Sequence, residues 1–592
     1  MAAASLAVPL DHAPLNAQAQ PVPSPRPITP PTRTDLLPPD RRSPERAVTL
    51  TIDGDLERGP CALDRADYQN IRLTLSGAQF GGIERAPGVV LDEAYEGYLG
   101  RELPISVLCD IRAKANAILR RDGYLATVEI PEQSLADGVA DFRIVFGRIA
   151  ALRVRGEGGP SEQTVARYLE KLTEQPVFNS FAAERYLLLA DDLPGIEVRL
   201  SLRPAVGGEP GDLVGEIAVV RQRGALDANF QNLGSEALGR FGGTLRGEIY
   251  DLTGLGDRTY LTAFTTLDFV EQQTFQIGHD FAIGGEGLRL GGSLTYSTAE
   301  PDSGLDAFDL GSETVIASLF ASYPLQRSRQ SSAFLNLGVD IVDQNVEVNA
   351  TALTRDRVRT LFARVSGDHI DRESMQRLGG YNPYEPRLRL TYTAELRQGI
   401  DVFSASRDCR DALTSCLADG LVPPSRVEAD PTPFVARLQG GMQFRPVPRL
   451  TFSLEALGQI AGAPLPAFEE FAGGSFSIGR GFDPGVVLGD DGIAGAFEIR
   501  YGSLAPQGPE DLAVQPYVFT DIVRVWNQDP SRVLDNPDQL WSAGAGIRSA
   551  WGARVQGDLL IAVPLERPDI ATRLGDVRVL FTLTARLLPW RY

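Results

Sequence analysis

At 592 residues, with 60 Gly, 41 Pro and a formal charge of −20, the chain is too long for a single hydrophobic core. Its lysines are confined to Lys114 and Lys171, so no basic block exists to neutralise phosphates, and nucleic-acid binding is excluded as a function class. Apolar residues reach 43% without any run near the roughly 20 that a membrane helix needs, which excludes helical spanning and leaves a closed barrel open.

In chain order, residues 1–19 read as the remnant of a signal peptide: Ala2–Leu10 is mostly small and apolar, and Ala17-Gln18-Ala19 resembles a signal-peptidase site. A basic n-region is missing, and Asp11 and Pro14 interrupt the apolar stretch, so the true start is expected upstream. Residues 20–66 read as a linker, Pro-rich between Pro21 and Pro44, where the chain can neither continue a helix nor pack a core. Two α/β units of β-α-α-β-β plan follow, over 67–148 and 149–222. In the first, Ile71, Leu73 and Leu75 alternate as a strand, and a helix is expected over Leu91–Leu99. A second helix starts near Ser106 and stops at Gly123, with Leu108, Ile111, Ala115, Ile118 and Leu119 on one face. Strands at Leu125–Ile130 and Val139–Phe146 close the unit. The second unit opens with Leu152-Arg153-Val154. Ser161 is placed there as the cap of a helix that turns Val165, Tyr168, Leu169 and Leu172 inward. A helix over Phe181–Leu189 and strands at Ile196–Leu202 and Leu213–Val220 complete it. Neither unit holds a phosphate loop or an acid/base cluster.

From Gly224 helical periodicity stops, and period-2 segments of about ten residues recur between Gly, Pro, Asp and Asn. In Arg387–Leu396, for example, Leu388, Leu390, Tyr392, Ala394 and Leu396 share one face, while Arg387, Arg389, Thr391, Thr393 and Glu395 share the other. Leu450, Phe452, Leu454 and Ala456 form another such face, as do Val555, Leu559, Ile561 and Val563. The 369 residues from Gly224 to Tyr592 give about 23 per strand and connection in a sixteen-stranded barrel, the scale of a transmembrane one. Charged side chains would then face a wet lumen; a soluble sandwich is the competing architecture. Near the end, Val577, Val579, Phe581 and Leu583 are out of phase with the terminal aromatic Tyr592, and a bulge near Pro589 would reconcile them.

Four cysteines without a CxxC and three histidines form no ligand set, so no metal is expected. Cys409 and Cys416 flank a short polar stretch suited to a loop disulfide in an oxidising compartment. Cys61–Cys109 is a further pairing, and four free thiols are the alternative. Gly254-Leu255-Gly256-Asp257 lacks the Lys of a phosphate loop and reads as a hairpin turn. His279-Asp280 has no identifiable nucleophile beside it, so no catalytic residue is assigned and an enzyme is not expected.

Three groups of residues resemble a known family. Leu119-Arg120-Arg121-Asp122-Gly123-Tyr124-Leu125, followed by Ile130-Pro131-Glu132-Gln133-Ser134-Leu135-Ala136-Asp137-Gly138-Val139, resembles a POTRA domain of two-partner secretion transporters, the haemolysin secretion/activation (ShlB/FhaC/HecB-like) family. Asp192-Leu193-Pro194-Gly195-Ile196, Asn232-Leu233-Gly234 and Leu252-Thr253-Gly254-Leu255-Gly256-Asp257 look like the second POTRA domain running into the first barrel hairpin. Gly479-Arg480-Gly481-Phe482, with Gly489-Asp490-Asp491-Gly492 and Glu498-Ile499-Arg500-Tyr501 behind it, resembles the loop signature shared with BamA-type assembly proteins. Phe519-Thr520-Asp521-Ile522-Val523 matches the partner strand motif, with Val523 where the family has Gly. Together the resemblance covers about residues 67–592.

The resemblance implies a transmembrane antiparallel β-barrel of about 16 strands in the bacterial outer membrane, spanning 223–592, behind two periplasmic POTRA domains. It implies type V, two-partner secretion: an unfolded exoprotein of haemolysin or adhesin type, β-helical once secreted, is bound by the POTRA domains and exported through the barrel. The chain is expected to work as a monomer in outer-membrane lipid, without a cofactor. Arg480 would pair with Asp521, with the loop folded into the barrel and Gly479 and Gly481 permitting a tight turn of unusual dihedrals. The alternative reading is a factor that assembles and inserts other barrels, though only two POTRA-like units precede this one.

Overall fold

The computed structural model describes residues 49–52, 61–68, 70–155, 159–301, 309–410, 412–417, 422–475, 477–529, 536–552, 554–568 and 574–588. The expected signal peptide, the Pro-rich run and Tyr592 lie outside them.

The first α/β unit keeps its amphipathic helix, Val107–Arg121, with the five predicted apolar residues buried. It packs on a sheet ordered Gly77–Gly81, Val139–Phe146, Ala126–Glu129, beside a two-stranded ribbon of Arg72–Thr74 and Glu102–Pro104. Leu73 and Leu75 are buried, whereas Ile71 is exposed. The helix expected over Leu91–Leu99 is instead two 3-10 turns, Asp92–Ala94 and Glu96–Tyr98. Gly88, Gly97 and Gly100 confine that stretch, and Gly100 takes a φ of 70°, leaving too short a run to nucleate an α-helix. The first unit is therefore not β-α-α-β-β but has a single α-helix. Cys61 and Cys109 are bridged, tying the turn Ala62–Asp64 to that helix.

The second unit follows the β-α-α-β-β plan, with strand Arg148–Arg155, helices Glu162–Thr173 and Ser180–Asp191, and strands Ile196–Pro204 and Asp212–Arg221. Asn179 caps the second helix by accepting from the N–H groups of Phe181 and Ala182. Ser161 precedes the first helix but makes no side-chain cap, because its hydroxyl is engaged elsewhere. Within the stretch read as linker, Thr49–Ile52 forms a strand that pairs in parallel with Arg199–Leu202 and occupies one edge of this sheet.

Sixteen antiparallel strands then close into a barrel. They are β1 Gly224–Gln231, β2 Gly242–Tyr250, β3 Arg258–Thr266, β4 Gln272–Ile283, β5 Leu288–Ala299, β6 Leu310–Arg327, β7 Ser331–Val348 and β8 Thr351–Ile370. The second half comprises β9 Leu388–Gly399, β10 Phe434–Val447, β11 Leu450–Ala461, β12 Asp491–Tyr501, β13 Leu512–Trp526, β14 Asp538–Trp551, β15 Val555–Pro564 and β16 Arg578–Leu588. Closure removes the unpaired edges that an open sheet would present.

Period-2 alternation sets the two faces. In β9, Leu390, Tyr392 and Leu396 are exposed outward, while Glu395 and Arg397 are buried inward. In β13, Val518 and Ile522 point out, and Tyr517, Phe519 and Asp521 point in. The phase break near the C-terminus lies at Leu587, two residues before the expected site. Asp227 pairs with Arg586 and Leu226 with Leu588, so one residue bulges and the outward phase switches.

One edge needs separate cover. β8 pairs with β9 only from Thr360 onward, so Thr351–Arg359 runs past its neighbour. The following loop fills the gap: Ile400 and Ser406 donate N–H groups to the carbonyls of Arg359 and Arg357, and Arg355 donates to Pro423. The Cys409–Cys416 bridge staples a short segment within this loop.

Candidate functional site

The loop joining β11 to β12 enters the lumen. It carries a 3-10 turn, Ala467–Glu469, and a short hairpin of Phe471–Gly473 with Val487–Gly489. At its tip Gly479 has a φ of 88°, a conformation that side-chain-bearing residues resist. Gly481 is needed for a different reason than the one expected. Its φ is ordinary, but a Cβ there would lie 2.6 Å from the Ser542 Cβ and 3.1 Å from the Pro564 backbone N.

Arg480, 2% exposed, is gripped on several sides. Its Nε and Nη2 donate to the two carboxylate oxygens of Asp521 at 2.9 and 2.6 Å, the paired geometry that a guanidinium fork favours. Asp521 also accepts the backbone N–H groups of Gly479 and Arg480, at 3.1 and 3.0 Å. Nη1 donates to Glu498, which in turn holds Arg500 and Arg548. The guanidinium carbon lies 3.6 Å from the Phe519 ring centroid, a cation–π contact. Phe482 packs with Ile478, Val487, Leu540 and Val523, so Val523 fills the space between loop and wall. Arg578 of β16 donates to the Phe482 carbonyl and pairs with Asp483 at 3.0 Å. The motif reading paired Arg480 with Asp521 and quoted Glu498 without a role, but missed Arg548 and Arg578, which lie on strands whose inward charges look alike in sequence.

Of the residues singled out in the POTRA units, Gly123, Tyr124, Pro194 and Gly195 sit at joints, while Pro131 and Gly138 serve turns inside the first unit. Gly123 has a φ of 86°, and its carbonyl accepts the Ser180 N–H of the second unit. Tyr124 bridges to Asn179 and packs edge-on against Phe146. Gly138 lies against Ser76 and Thr74, and the Pro131 carbonyl accepts from Gln133. Pro194-Gly195 turns helix into strand, and the Gly195 carbonyl accepts the Gln222 N–H at the entry to the barrel.

Gly254-Leu255-Gly256-Asp257 is a hairpin turn between β2 and β3, and it is where the second unit docks. Asp257 is fully buried and accepts the N–H groups of Leu252 and Thr253 and the Thr253 hydroxyl. Ser161 donates its hydroxyl to Asp251 and accepts the Gly256 N–H, and Thr164 donates to the Gly254 carbonyl. That tertiary demand is why Ser161 does not cap its own helix. Further turns join in: Arg327 pairs with Asp192 at 2.7 Å, and the Arg329 N–H donates to Glu184. His279 and Asp280 point to opposite faces of β4. His279 bonds Thr259, and Asp280 pairs with Arg258 and Arg289, so the two form no dyad.

Residues 217–549 match the family described as haemolysin secretion/activation protein ShlB/FhaC/HecB, and residues 73–147 match the ShlB-type POTRA domain. The chain belongs to the ShlB/FhaC/HecB family. Among solved structures, CdiB from Escherichia coli aligns at 17% identity with a TM-score of 0.70, over 90% of this chain and 94% of that one. CdiB from Acinetobacter baumannii aligns at 16% identity and a TM-score of 0.62, over 91% and 94%. At such identity the likeness speaks for the fold. No curated protein matches the chain. As a member of this family the protein is an outer-membrane transporter with a role in secretion, and its POTRA domains face the periplasm. The turns beneath the second POTRA domain are thus periplasmic, and the Arg480 loop dips into the lumen from outside.

The docking turn of this ShlB/FhaC/HecB-family protein should respond to acid. Burial alone would raise the Asp257 carboxyl, but the Thr253 hydroxyl and the N–H groups of Thr253 and Leu252 hold it below the usual carboxylate range. Its folded value is depressed, so the stability it contributes is present above an unfolded value of about 3.9 and is lost as pH falls through the folded one. Exchange of the 252–256 amides, corrected for intrinsic rates, should therefore stay slow down to about pH 4 and rise below it. Asp257→Asn should speed that exchange already at neutral pH, by about 2 kcal/mol of local stability, and flatten the acid response.

Proposed function

We propose that this chain exports one unfolded exoprotein, of haemolysin or adhesin type and β-helical once outside, through its barrel by two-partner secretion. The carrying observation is the pairing of a lumenal loop, seated by Arg480 on Asp521 and Glu498, with a POTRA domain clamped to the periplasmic turns of the same barrel. A buried ion pair is a better register device than a source of net stability, so it suits a loop that must hold a place and still let go.

Extended partner segments would add to the terminal strand Gly77–Gly81 of the first POTRA sheet, where main-chain bonds supply affinity with little sequence demand; at the other edge the Val128 N–H is already taken by Asn116. Folding outside the cell would draw the chain through, and the transporter supplies a path rather than chemistry. One copy closes its own wall, so a monomer suffices.

Deleting the gene tests the reading. Export predicts that one large protein leaves the culture medium while outer-membrane barrels stay at normal abundance. Loss of many barrels with an unchanged medium would point instead to an assembly factor.

A further inference from the structure

The Arg480 loop is also held at its root, chiefly by Glu469 and Glu470, which lie outside every quoted motif. Glu469 is 1% exposed and accepts from Nε and Nη2 of Arg397, at 3.1 and 2.8 Å, and from Nη2 of Arg437, at 2.8 Å. Arg397 is itself buried and donates onward to Asp340 of β7 and Glu395 of β9, at 2.9 and 3.1 Å. The neighbouring Glu470 meets Arg426, which also bonds Asp490 at the far end of the same loop, each at 2.7 Å. Asp490 further accepts the N–H groups of Leu465 and Gln528, at 2.7 and 2.8 Å, so the two limbs of the loop are tied together where they leave the wall.

The two attachments lie on different parts of the barrel. The tip sits against β12, β13, β14 and β16, whereas Glu469 is held by β9 and β10 and, through Arg397, linked to β7. A loop attached only at its tip would swing out when Arg480 let go. One attached at both points stays across the lumen when either fails. We propose that Glu469 is a second positioning residue of this loop, and that the lumen opens fully only when the Glu469 clamp and the Arg480 seat are both released. The proposal rests on the export reading only in assigning a use to that opening.

Glu469 is the side chain to change, because Arg397 keeps Asp340 and Glu395 without it. Removing Arg397 instead would leave three buried carboxylates short of a counter-charge and endanger folding. The experiment compares the whole protein with Glu469→Gln, Asp521→Asn and the double variant by single-channel conductance in planar bilayers, with barrel folding checked by heat-modifiable gel migration. Each single change should leave mean conductance within about 1.5-fold of the parent, and the double should raise it by about tenfold or more, well beyond the product of the two. Glu469→Asp with Asp521→Asn should return towards the Asp521→Asn value, a rescue that a merely structural role would not produce. If Glu469→Gln does not fold, Glu469→Ala takes its place in the same comparison.

A double variant no more conductive than the product of the singles would overturn the two-point attachment. So would a Glu469 variant that opened as widely as the double by itself. Export of the partner is scored separately. Coupled conductance without any dependent exoprotein would sink the export reading and leave the attachment standing.

Discussion

Arg480→Ala should reduce export to less than about one tenth while the barrel still forms. The substitution takes the guanidinium from Asp521, which is 1% exposed, and from Glu498. Breaking a buried pair from one side typically costs about 3–5 kcal/mol, and here the cost falls on the seating of the loop rather than on the sixteen paired strands. Glu498 keeps Arg500 and Arg548, so the wall itself is spared. Secreted partner per cell, set against heat-modifiable migration of the transporter, separates the two effects. The exchange Arg480→Asp with Asp521→Arg should fail to restore export. Asp521 also accepts the Gly479 and Arg480 N–H groups, and an arginine in its place has no acceptor to offer them. Full rescue by the exchange would show that charge pairing alone matters and that the backbone bonds do not.

Gly195→Ala should uncouple the second POTRA domain from the barrel. Gly195 has a φ of 74°, which costs a side-chain-bearing residue roughly 1–2 kcal/mol. A Cβ would also run into the Gln222 carbonyl and approach the Tyr250 Cβ to 3.0 Å. The backbone cannot move aside cheaply, because the Gly195 carbonyl holds the Gln222 N–H at 2.7 Å. Amides of the 251–257 turn should then exchange about tenfold faster or more, as they would when docking loosens by about 1.4 kcal/mol. Export should fall with them. Unchanged exchange in Gly195→Ala would mean that the joint tolerates the strain and does not transmit position.

The barrel was legible because its physics has a short period. Leu390, Tyr392 and Leu396 against Glu395 and Arg397 is a pattern of two, visible in five residues and repeated along the chain. The Arg480–Asp521 pair was legible for another reason: glycines on both sides of an arginine and an aspartate on a later strand form a recognisable signature. Glu469 with Arg397 and Arg426 with Asp490 were not, since partners 72 and 64 residues apart carry no local mark. An inward arginine on one strand looks like any other in a wet lumen. Ser161 shows the opposite failure. A serine before a helix is ordinarily read as its cap, but a buried Asp251 and the Gly256 N–H compete for its hydroxyl and win. Leu91–Leu99 forms two 3-10 turns where a helix was expected, because Gly88, Gly97 and Gly100 cut the stretch short.

The covered margin of β8 has a bearing on release. A protein that passes unfolded chains outward presents them with every unpaired strand along its exit, and such a margin would capture extended segments by sheet growth. Here Arg355, Arg357 and Arg359 are already bonded by the loop that carries the Cys409–Cys416 bridge. On the export reading, a passing chain would meet fewer open main-chain groups at Arg355–Arg359, which favours its departure over adhesion there.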